Sequence, residues 1–277
     1  MEFQKAIIIF LALLSNSVLS NSVGNSQSYV ERRRKIAGGA QPGRNEFLYK
    51  TAIYLYKTTT GVNFCSGSII TENFVLTAAH CFPNVHSGTI IAGVHDLQNE
   101  DPVYEWDFET SHIIIHENYI EQDFLNDIAL IDVSSNPFVL SSKIQKIKIA
   151  PSTLNLTEFI GKNVSVAGWG MTSDNNQEMS DKLMYFNPIV LRTEVCRQVF
   201  GYIKVTSNSI CLDGSDGRST CRGDSGGGLD VMYEKEKILI GIVSFGLEAG
   251  CQQNYPTVST FISPFYNWIN TKVGMIL

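Results

Sequence analysis

Short apolar segments separated by turn-forming residues constrain the fold of this chain more than any other feature. Seven runs rich in Val, Ile, Phe and Tyr recur along it, each bounded by Gly, Asn, Asp or Pro. Regular short strands of this kind are typical of an all-β sandwich or barrel. Helical periodicity is weak until Ser263, where a Ser cap, a Pro in the first turn and apolar residues at helical spacing predict a terminal helix. The pattern alone leaves open whether the strands form one barrel or two.

The first 20 residues have the pattern of a secretory signal. Lys5 precedes an apolar run from Ala6 to Leu14, and small polar residues follow. The run is too short to span a bilayer, and Val18 and Ser20 suit cleavage after Ser20. A retained membrane anchor is the alternative. We therefore expect a secreted, extracellular protein with no membrane attachment.

Because the protein is expected to be secreted, the number of its cysteines is informative. Six are present, and an even number in an oxidising compartment predicts three disulfides, although the sequence leaves their pairing open. No C-x-x-C pair occurs, which disfavours a zinc site.

A basic run in "ERRRKIAGGA", residues 31–40, predicts a processing site. Cleavage after Lys35 would release residues 21–35 as a propeptide and leave Ile36 as the new N-terminus of a domain covering residues 36–277. That domain carries 16 basic and 25 acidic side chains, which argues against nucleic-acid binding because such binding needs a basic face.

The segment "TCRGDSGGGLD", residues 220–230, surrounds Ser225 with glycines. It can be a surface turn, or a nucleophile beside backbone N–H groups that hold an oxyanion. A serine nucleophile needs a general base, usually His, and a group that orients that base.

The order of residues limits the class of hydrolase. All five histidines precede Ser225, so the order Ser, acid, His of α/β-hydrolases is excluded. The first Asp is Asp96, so neither His80 nor His86 has an Asp before it, as the order Asp, His, Ser would require. The order His, Asp, Ser remains open.

Two residues fit that order best. His80 in "VLTAAHCF" follows an apolar run and two small residues, and it is a candidate general base. The alternative is a structural histidine whose hydrogen bonds are satisfied within the fold. Asp127 in "NDIALIDV" stands at the head of an apolar strand, where a carboxylate is either a solvated turn residue or a buried acid that orients a histidine.

Six motifs in order, "IAGG", "LTAAHC", "NDIALI", "GWG", "GDSGG" and "SFG", carry a specific resemblance. Over residues 36–277 the chain resembles the precursor of a chymotrypsin-family (trypsin-like) serine protease of the chymotrypsin/elastase type, with some likeness to arthropod members. The resemblance implies two packed six-stranded antiparallel β-barrels and a C-terminal helix.

The resemblance also implies a catalytic apparatus. His80 is the general base, Asp127 orients it, and Ser225 is the nucleophile. The backbone N–H groups of Gly223 and Ser225 form the oxyanion hole, and Ser244 supports Asp127. A non-catalytic homologue that acts as a binding or cofactor protein is the alternative, but such proteins usually lack a triad residue.

Activation and covalent bracing follow from the same resemblance. After cleavage, the α-amine of Ile36 is expected to pair with the carboxylate of Asp224, which sets the oxyanion hole and the pocket. The three expected disulfides are Cys65–Cys81, Cys196–Cys211 and Cys221–Cys251.

Substrate preference is expected to depend on three pocket positions. Ser219 stands where trypsin-like members have Asp, so a basic residue before the cut should be a poor substrate. Gly246 leaves the pocket wall open, and Thr257 stands where chymotrypsins usually have Gly, so it should shorten the pocket. We expect cleavage after medium or large apolar residues such as Leu, Met or Phe. Gly228 stands where the family usually has Pro, which leaves the rigidity of this segment in question.

The remaining expectations concern modification, cofactors and partners. Asn155 and Asn163 lie in N-x-[ST] sequons and are candidate glycosylation sites. No cofactor or metal is expected, and Val94 stands where calcium-binding relatives have Glu. The expected partners are protein or peptide substrates, an activating trypsin-like protease and protein protease inhibitors, and the protein is expected to be a monomer.

Overall fold

A computed structural model of the chain describes residues 39–58 and 61–274. The predicted signal peptide, residues 1–20, the predicted propeptide, residues 21–35, and Ile36 lie outside the described residues. Within the described residues, no helix is long and apolar enough to cross a membrane.

The first half of the domain is one antiparallel sheet of seven strands, ordered β5-β4-β1-β2-β3-β7-β6. Its strands are apolar on the inner face and broken by short turns, as the sequence pattern predicts. They are β1 (Lys50–Lys57), β2 (Val62–Thr71), β3 (Phe74–Thr77), β4 (Val85–Ala92), β5 (Tyr104–Glu109), β6 (Ile113–Ile115) and β7 (Ala129–Asp132).

The second half is a sheet of eight strands and a separate hairpin. The main path runs β12-β9-β15-β16-β17-β14-β13, and β8 pairs with β16 in parallel, while β10 and β11 form the hairpin. The strands are β8 (Lys148–Ile149), β9 (Ser165–Gly168), β10 (Met171–Ser173), β11 (Asn176–Met179), β12 (Met184–Phe186), β13 (Val190–Leu191), β14 (Ser209–Leu212), β15 (Gly228–Tyr233), β16 (Glu236–Phe245) and β17 (Thr257–Phe261).

The predicted fold of two curled β-sheets with a terminal helix is confirmed. The sheets hold seven and eight strands rather than six each, because short flanking strands of two or three residues, such as β6 and β8, extend them. Each sheet encloses an apolar core, and the fully buried indole of Trp169, in the second half, belongs to the core cluster of the first.

Two helices complete the described chain. The predicted terminal helix is confirmed: a 3-10 turn, Ser263–Phe265, leads into α2 (Tyr266–Lys272), and Phe265 and Ile269 are buried. The expected Ser cap is wrong, because Ser263 lies inside the turn and its hydroxyl makes no capping hydrogen bond. The sequence did not predict α1 (Thr193–Phe200), because its apolar residues are spaced one turn apart but two turns are too short for that periodicity to be distinguished.

Strand pairing brings two of the candidate site residues together. Strands β3 and β7 pair antiparallel with Thr77 opposite Ala129. His80 lies in the 3-10 turn that follows β3, and Asp127 lies just before β7. The end of one strand and the beginning of its neighbour meet at the same edge of the sheet, so both residues lie at that edge.

Candidate active site

A hydrogen-bonded pair forms the centre of the site. The Nδ1 of His80 lies 2.7 Å from Oδ2 of Asp127, and the backbone N–H of His80 donates to Oδ1 at 2.9 Å. An ionised carboxylate can only accept hydrogen bonds, so Nδ1 carries the proton and Nε2 of the neutral ring is left as the acceptor. The arrangement thereby prepares Nε2 to receive a proton.

The electrostatics of the pair favour a strong base. Burial alone would lower the pKa of His80, but the charge of Asp127 and its hydrogen bond outweigh that effect, so the pKa lies above its usual value. The imidazolium that forms on proton uptake is therefore stabilised by Asp127.

Residues from the second sheet hold the carboxyl group of Asp127 and its backbone. The carboxylate is fully buried, and the hydroxyl of Ser244, on β16, donates to the same Oδ2 that binds His80. The hydroxyl of Thr260, on β17, donates to the backbone carbonyl of Asp127 at 2.9 Å. A buried carboxylate needs such partners, and their origin on the opposite sheet places Asp127 at the junction of the two halves.

The loop that carries Ser225 is held from the other side by Ser66, on β2. The hydroxyl of Ser66 donates to the carbonyl of Gly223 at 3.1 Å, and its backbone N–H donates to the carbonyl of Ser225 at 2.7 Å. Gly223 has φ of +95°, and a Cβ there would lie 2.6 Å from Sδ of Met179. Only glycine fits this backbone position, which accounts for the first glycine of "GDSGG".

Two cavities meet at Ser225. The larger has a volume of about 680 Å³ and is bordered by His80, Gly223 and Ser225. The second, of about 360 Å³, is bordered by Ser225 together with Ser219, Gly246 and Thr257. The structure thus brings all three expected pocket residues to one cavity, and it brings His80 and Ser225 to the other.

Ser219 and Thr257 shape the second cavity, the first through its hydroxyl group and the second through its methyl group. The hydroxyl of Ser219 is buried and donates to the backbone carbonyl of Cys251, with the carbonyl of Thr220 3.1 Å away. A Cβ added at Gly246 would lie 3.2 Å from the Cγ2 methyl of Thr257, so this methyl group lies against the open wall.

Asp174 holds the far wall of the same cavity. Its carboxylate accepts hydrogen bonds from the backbone N–H groups of Cys251 (2.6 Å) and Gln252 (3.1 Å) and from the side chain of Gln253 (2.9 Å). Asp174 lies close to Cys221 and Cys251, a grouping that resembles a metal site. Those two cysteines form a disulfide, so their sulfurs are not available as thiolate ligands.

The cysteines are joined in the three pairs that the resemblance implies, Cys65–Cys81, Cys196–Cys211 and Cys221–Cys251. The first braces the turn that carries His80. The third joins the loop before Ser225 to the far wall of the second cavity.

Asp224 points away from solvent beneath the Ser225 loop. It is almost fully buried, with Oδ1 accepting from the N–H of Gly170 at 3.0 Å and Oδ2 from the N–H of Cys221 at 2.9 Å. Burial raises the pKa of Asp224 to about 6, against the opposing effect of these two donors and of the charge of Lys50. Its expected partner, Ile36, lies outside the described residues.

Both candidate glycosylation sites are accessible. Asn155 begins a 3-10 turn and is exposed, and Asn163 is exposed beside β9.

Several residues of the site were missed by the sequence reasoning. Ser66, Thr260 and Asp174 are single polar residues in ordinary surroundings, and no local motif distinguishes them. Phe124 was also missed: it adopts φ of +54°, and its ring packs edge-on against His80, 5.6 Å between centroids. Phe245 in turn packs on Phe124 at 5.2 Å.

Comparison with known proteins identifies the family. The family model described as Trypsin matches residues 36–269. Brachyurin from Leptuca pugilator is 31% identical over 87% of this chain and 99% of its own length. Chymotrypsin from Phaedon cochleariae is 34% identical over 75% of this chain and 71% of its own length.

Solved structures agree with these relatives. The structure described as HL collagenase superimposes with a TM-score of 0.76 and 29% identity, and the match covers 86% of this chain and 99% of the other. The chain belongs to the trypsin family, the serine proteases with the chymotrypsin fold.

Replacing Asp127 by Asn tests the electrostatics of the pair. We expect kcat to fall by about 10⁴-fold, because the amide favours the wrong tautomer of His80. A general base must be neutral to act, so if His80 has that role we expect wild-type activity to be lost as the pH falls through its raised pKa. Without the charge of Asp127 only the effect of burial remains, so the acidic limb of kcat/KM should move to lower pH. Asp123→Asn, in the preceding 3-10 turn, is the matched control; an unmoved limb in Asp127→Asn would contradict the assignment.

Proposed function

We propose that this chain is the secreted precursor of a serine endopeptidase, activated by cleavage after Lys35, that hydrolyses peptide bonds after medium or large apolar residues. The family relation supports serine-protease chemistry. The observation that carries the proposal is that Ser225 borders one cavity together with His80, whose ring is hydrogen-bonded to the buried Asp127, and also borders the second cavity.

The mechanism assigns one role to each group. The Oγ of Ser225 attacks the substrate carbonyl carbon while Nε2 of His80 takes its proton. The negative charge that develops on the carbonyl oxygen is stabilised by the N–H groups of Gly223 and Ser225. His80 then gives its proton to the leaving amine, and water hydrolyses the acyl-enzyme by the same sequence of steps. Asp127 stays ionised and stabilises the transient imidazolium.

The proposed activation follows from the energetic cost of burying the ionised carboxylate of Asp224. A carboxylate with a pKa of about 6 is ionised at neutral pH only at an energetic cost. We propose that the α-ammonium group of Ile36, created by cleavage after Lys35, supplies the missing counter-charge. The pair would fix the adjacent Gly223–Ser225 backbone, so the precursor should be inactive.

Specificity is assigned to the second cavity. The hydroxyl of Ser219 is neutral and already bonded to a backbone carbonyl, so it offers a substrate cation no counter-charge. The methyl group of Thr257 beside Gly246 limits depth. Both features favour an apolar side chain of medium or large size. Discrimination by size in such a pocket is worth roughly 1–3 kcal/mol, so the preference should be broad.

The proposed compartment and partners follow from the disulfides and the family relation. Three disulfides suit an oxidising, extracellular compartment. We propose protein or peptide substrates, a trypsin-like activating protease and protein inhibitors as partners of a monomeric enzyme.

The first prediction concerns activity before and after processing. Precursor treated with trypsin should turn over peptide substrates that end in Phe or Leu before the cut, far faster than those that end in Arg. Untreated precursor should be inactive, because the Asp224 counter-charge is absent. Ser225→Ala, processed identically, is the control and should abolish turnover. A correctly folded, processed protein that cuts nothing would favour the non-catalytic homologue.

The second prediction concerns stability and is measured in the Ser225→Ala background to prevent self-digestion. The raised pKa of Asp224 means that the precursor loses stability as the pH rises from about 4 through 6. The loss amounts to about 3 kcal/mol, and pairing with Ile36 should cancel it. The Tm of processed protein should therefore exceed that of precursor by on the order of 5–10 °C at pH 7 and by much less at pH 4. Equal differences at both pH values would contradict the pairing.

The third prediction concerns the depth of the pocket. Thr257→Gly removes the methyl group that lies beside Gly246, so larger side chains should enter more deeply. The ratio of kcat/KM for Phe over Ala substrates should rise about tenfold. This ratio compares two substrates on one enzyme and is independent of the amount of active protein. An unchanged ratio would remove Thr257 from the specificity pocket.

A further inference from the structure

A buried charged cluster behind the Ser225 loop takes no part in the mechanism above. Lys50 is 3% exposed, Asp230 is 1% exposed and Tyr49 is 4% exposed. The hydroxyl of Tyr49 donates to Oδ2 of Asp230, and Nζ of Lys237 lies 3.4 Å from Oδ1 of Asp230. The Nζ of Lys50 donates to the backbone carbonyl of Gly228 at 3.0 Å.

Keeping an ammonium group in this place is costly. Burial lowers the pKa of Lys50 to about 8, and the charges of Asp230 and Asp224 only partly oppose that effect. Buried ionic groups are often no more stabilising than well-packed apolar residues of the same volume. Stability alone therefore gives little reason for a lysine at this position.

The position of the ammonium group points to the Ser225 loop. Lys50 is the first residue of β1 in the first sheet, and Gly228 is the first residue of β15 in the second. Gly228 lies three residues after Ser225. The ammonium also lies against Gly227, where an added Cβ would be 3.1 Å from Nζ. The side chain thus reaches from one sheet to the backbone directly behind the nucleophile.

That backbone lacks side chains of its own. Residues 226–228 are three consecutive glycines, and glycine has more conformational freedom than any other residue. A Cβ at the last of them, Gly228, would lie 2.3 Å from Cδ1 of Leu239 and 2.4 Å from Oγ of Ser68, so a side chain there would displace both. Restraint comes instead from hydrogen bonds to the backbone; Val243 makes two with Gly226 and Gly227, and Lys50 adds the one that is charge-assisted.

We propose that Lys50 is a positioning residue for Ser225. Its ammonium group, hydrogen-bonded to the carbonyl of Gly228, fixes the three-glycine segment and with it the nucleophile and the adjacent oxyanion N–H groups. This inference rests on the proposed peptidase function.

The test is Lys50→Met in the processed protein, which keeps the volume but removes the charge and the donor. We expect kcat to fall about ten- to a hundredfold, as for the loss of a hydrogen bond from a charged group, with KM changed less than twofold. The loss should fall on kcat because the Ser219–Thr257 pocket is untouched. Active enzyme is counted by mass spectrometry of Ser225 labelled with a small organophosphonate, so that kcat refers to folded sites.

Lys237→Met is the matched control, because Lys237 contacts the carboxylate of Asp230 in the same cluster but is 39% exposed. It should keep kcat within twofold. If Lys50→Met does not fold, Lys50→Gln replaces it; its amide ends one bond short of Nζ, so the same fall in kcat is expected.

Three results would overturn the inference: an unchanged kcat in Lys50→Met or its Gln replacement, an equal loss in Lys237→Met, or a change confined to KM. Ser225→Ala is assayed in parallel. If it is inactive while Lys50→Met is fully active, only the role of Lys50 fails. If Ser225→Ala retains activity, the proposed function itself fails.

Discussion

The fully buried carboxylate of Asp127 is the interaction on which the arrangement of this molecule depends. It lies between the two sheets, where the first provides the acid and its histidine and the second provides Ser244 and Thr260. A charge in this position is tolerated only when its oxygens are bonded, so the two sheets must pack in one register for the site to exist. The same contacts therefore hold the two halves together and fix the geometry of His80.

The fold and the centre of the candidate site could be predicted from the sequence because the relevant signals are local or follow a set order along the chain. Apolar runs broken by turn residues identified the strands, and the order of His80, Asp127 and Ser225 excluded two other classes of hydrolase. Of the residues that hold this centre, Ser244 was expected from the family resemblance, whereas Ser66 and Thr260 escaped prediction. Ser66 binds backbone carbonyls, and backbone partners leave no mark in a sequence. Helix α1 was missed because a two-turn helix is too short for its periodicity to be visible.

Packing shows how two residues of the family motifs are held. Gly228 stands where the family usually has Pro; a Cβ there would displace Leu239 and Ser68, and the ammonium group of Lys50 reaches its carbonyl. The ring of Phe245, in the "SFG" motif, packs against those of Phe124 and Phe200. These neighbours are distant in the sequence, so comparison with a family motif one position at a time cannot reveal them.

The His80–Asp127 pair and the walls of the second cavity are held by different parts of the fold, which affects how substrate preference can change among related proteins. The His80–Asp127 pair is held by strand ends, whereas the walls around Ser219, Gly246 and Thr257 come from two segments joined by the Cys221–Cys251 bridge. A duplicated gene could therefore change these three wall residues, and with them the proposed substrate preference, while His80, Asp127 and Ser225 are retained. The disulfide keeps the two segments joined while the side chains that line the cavity vary.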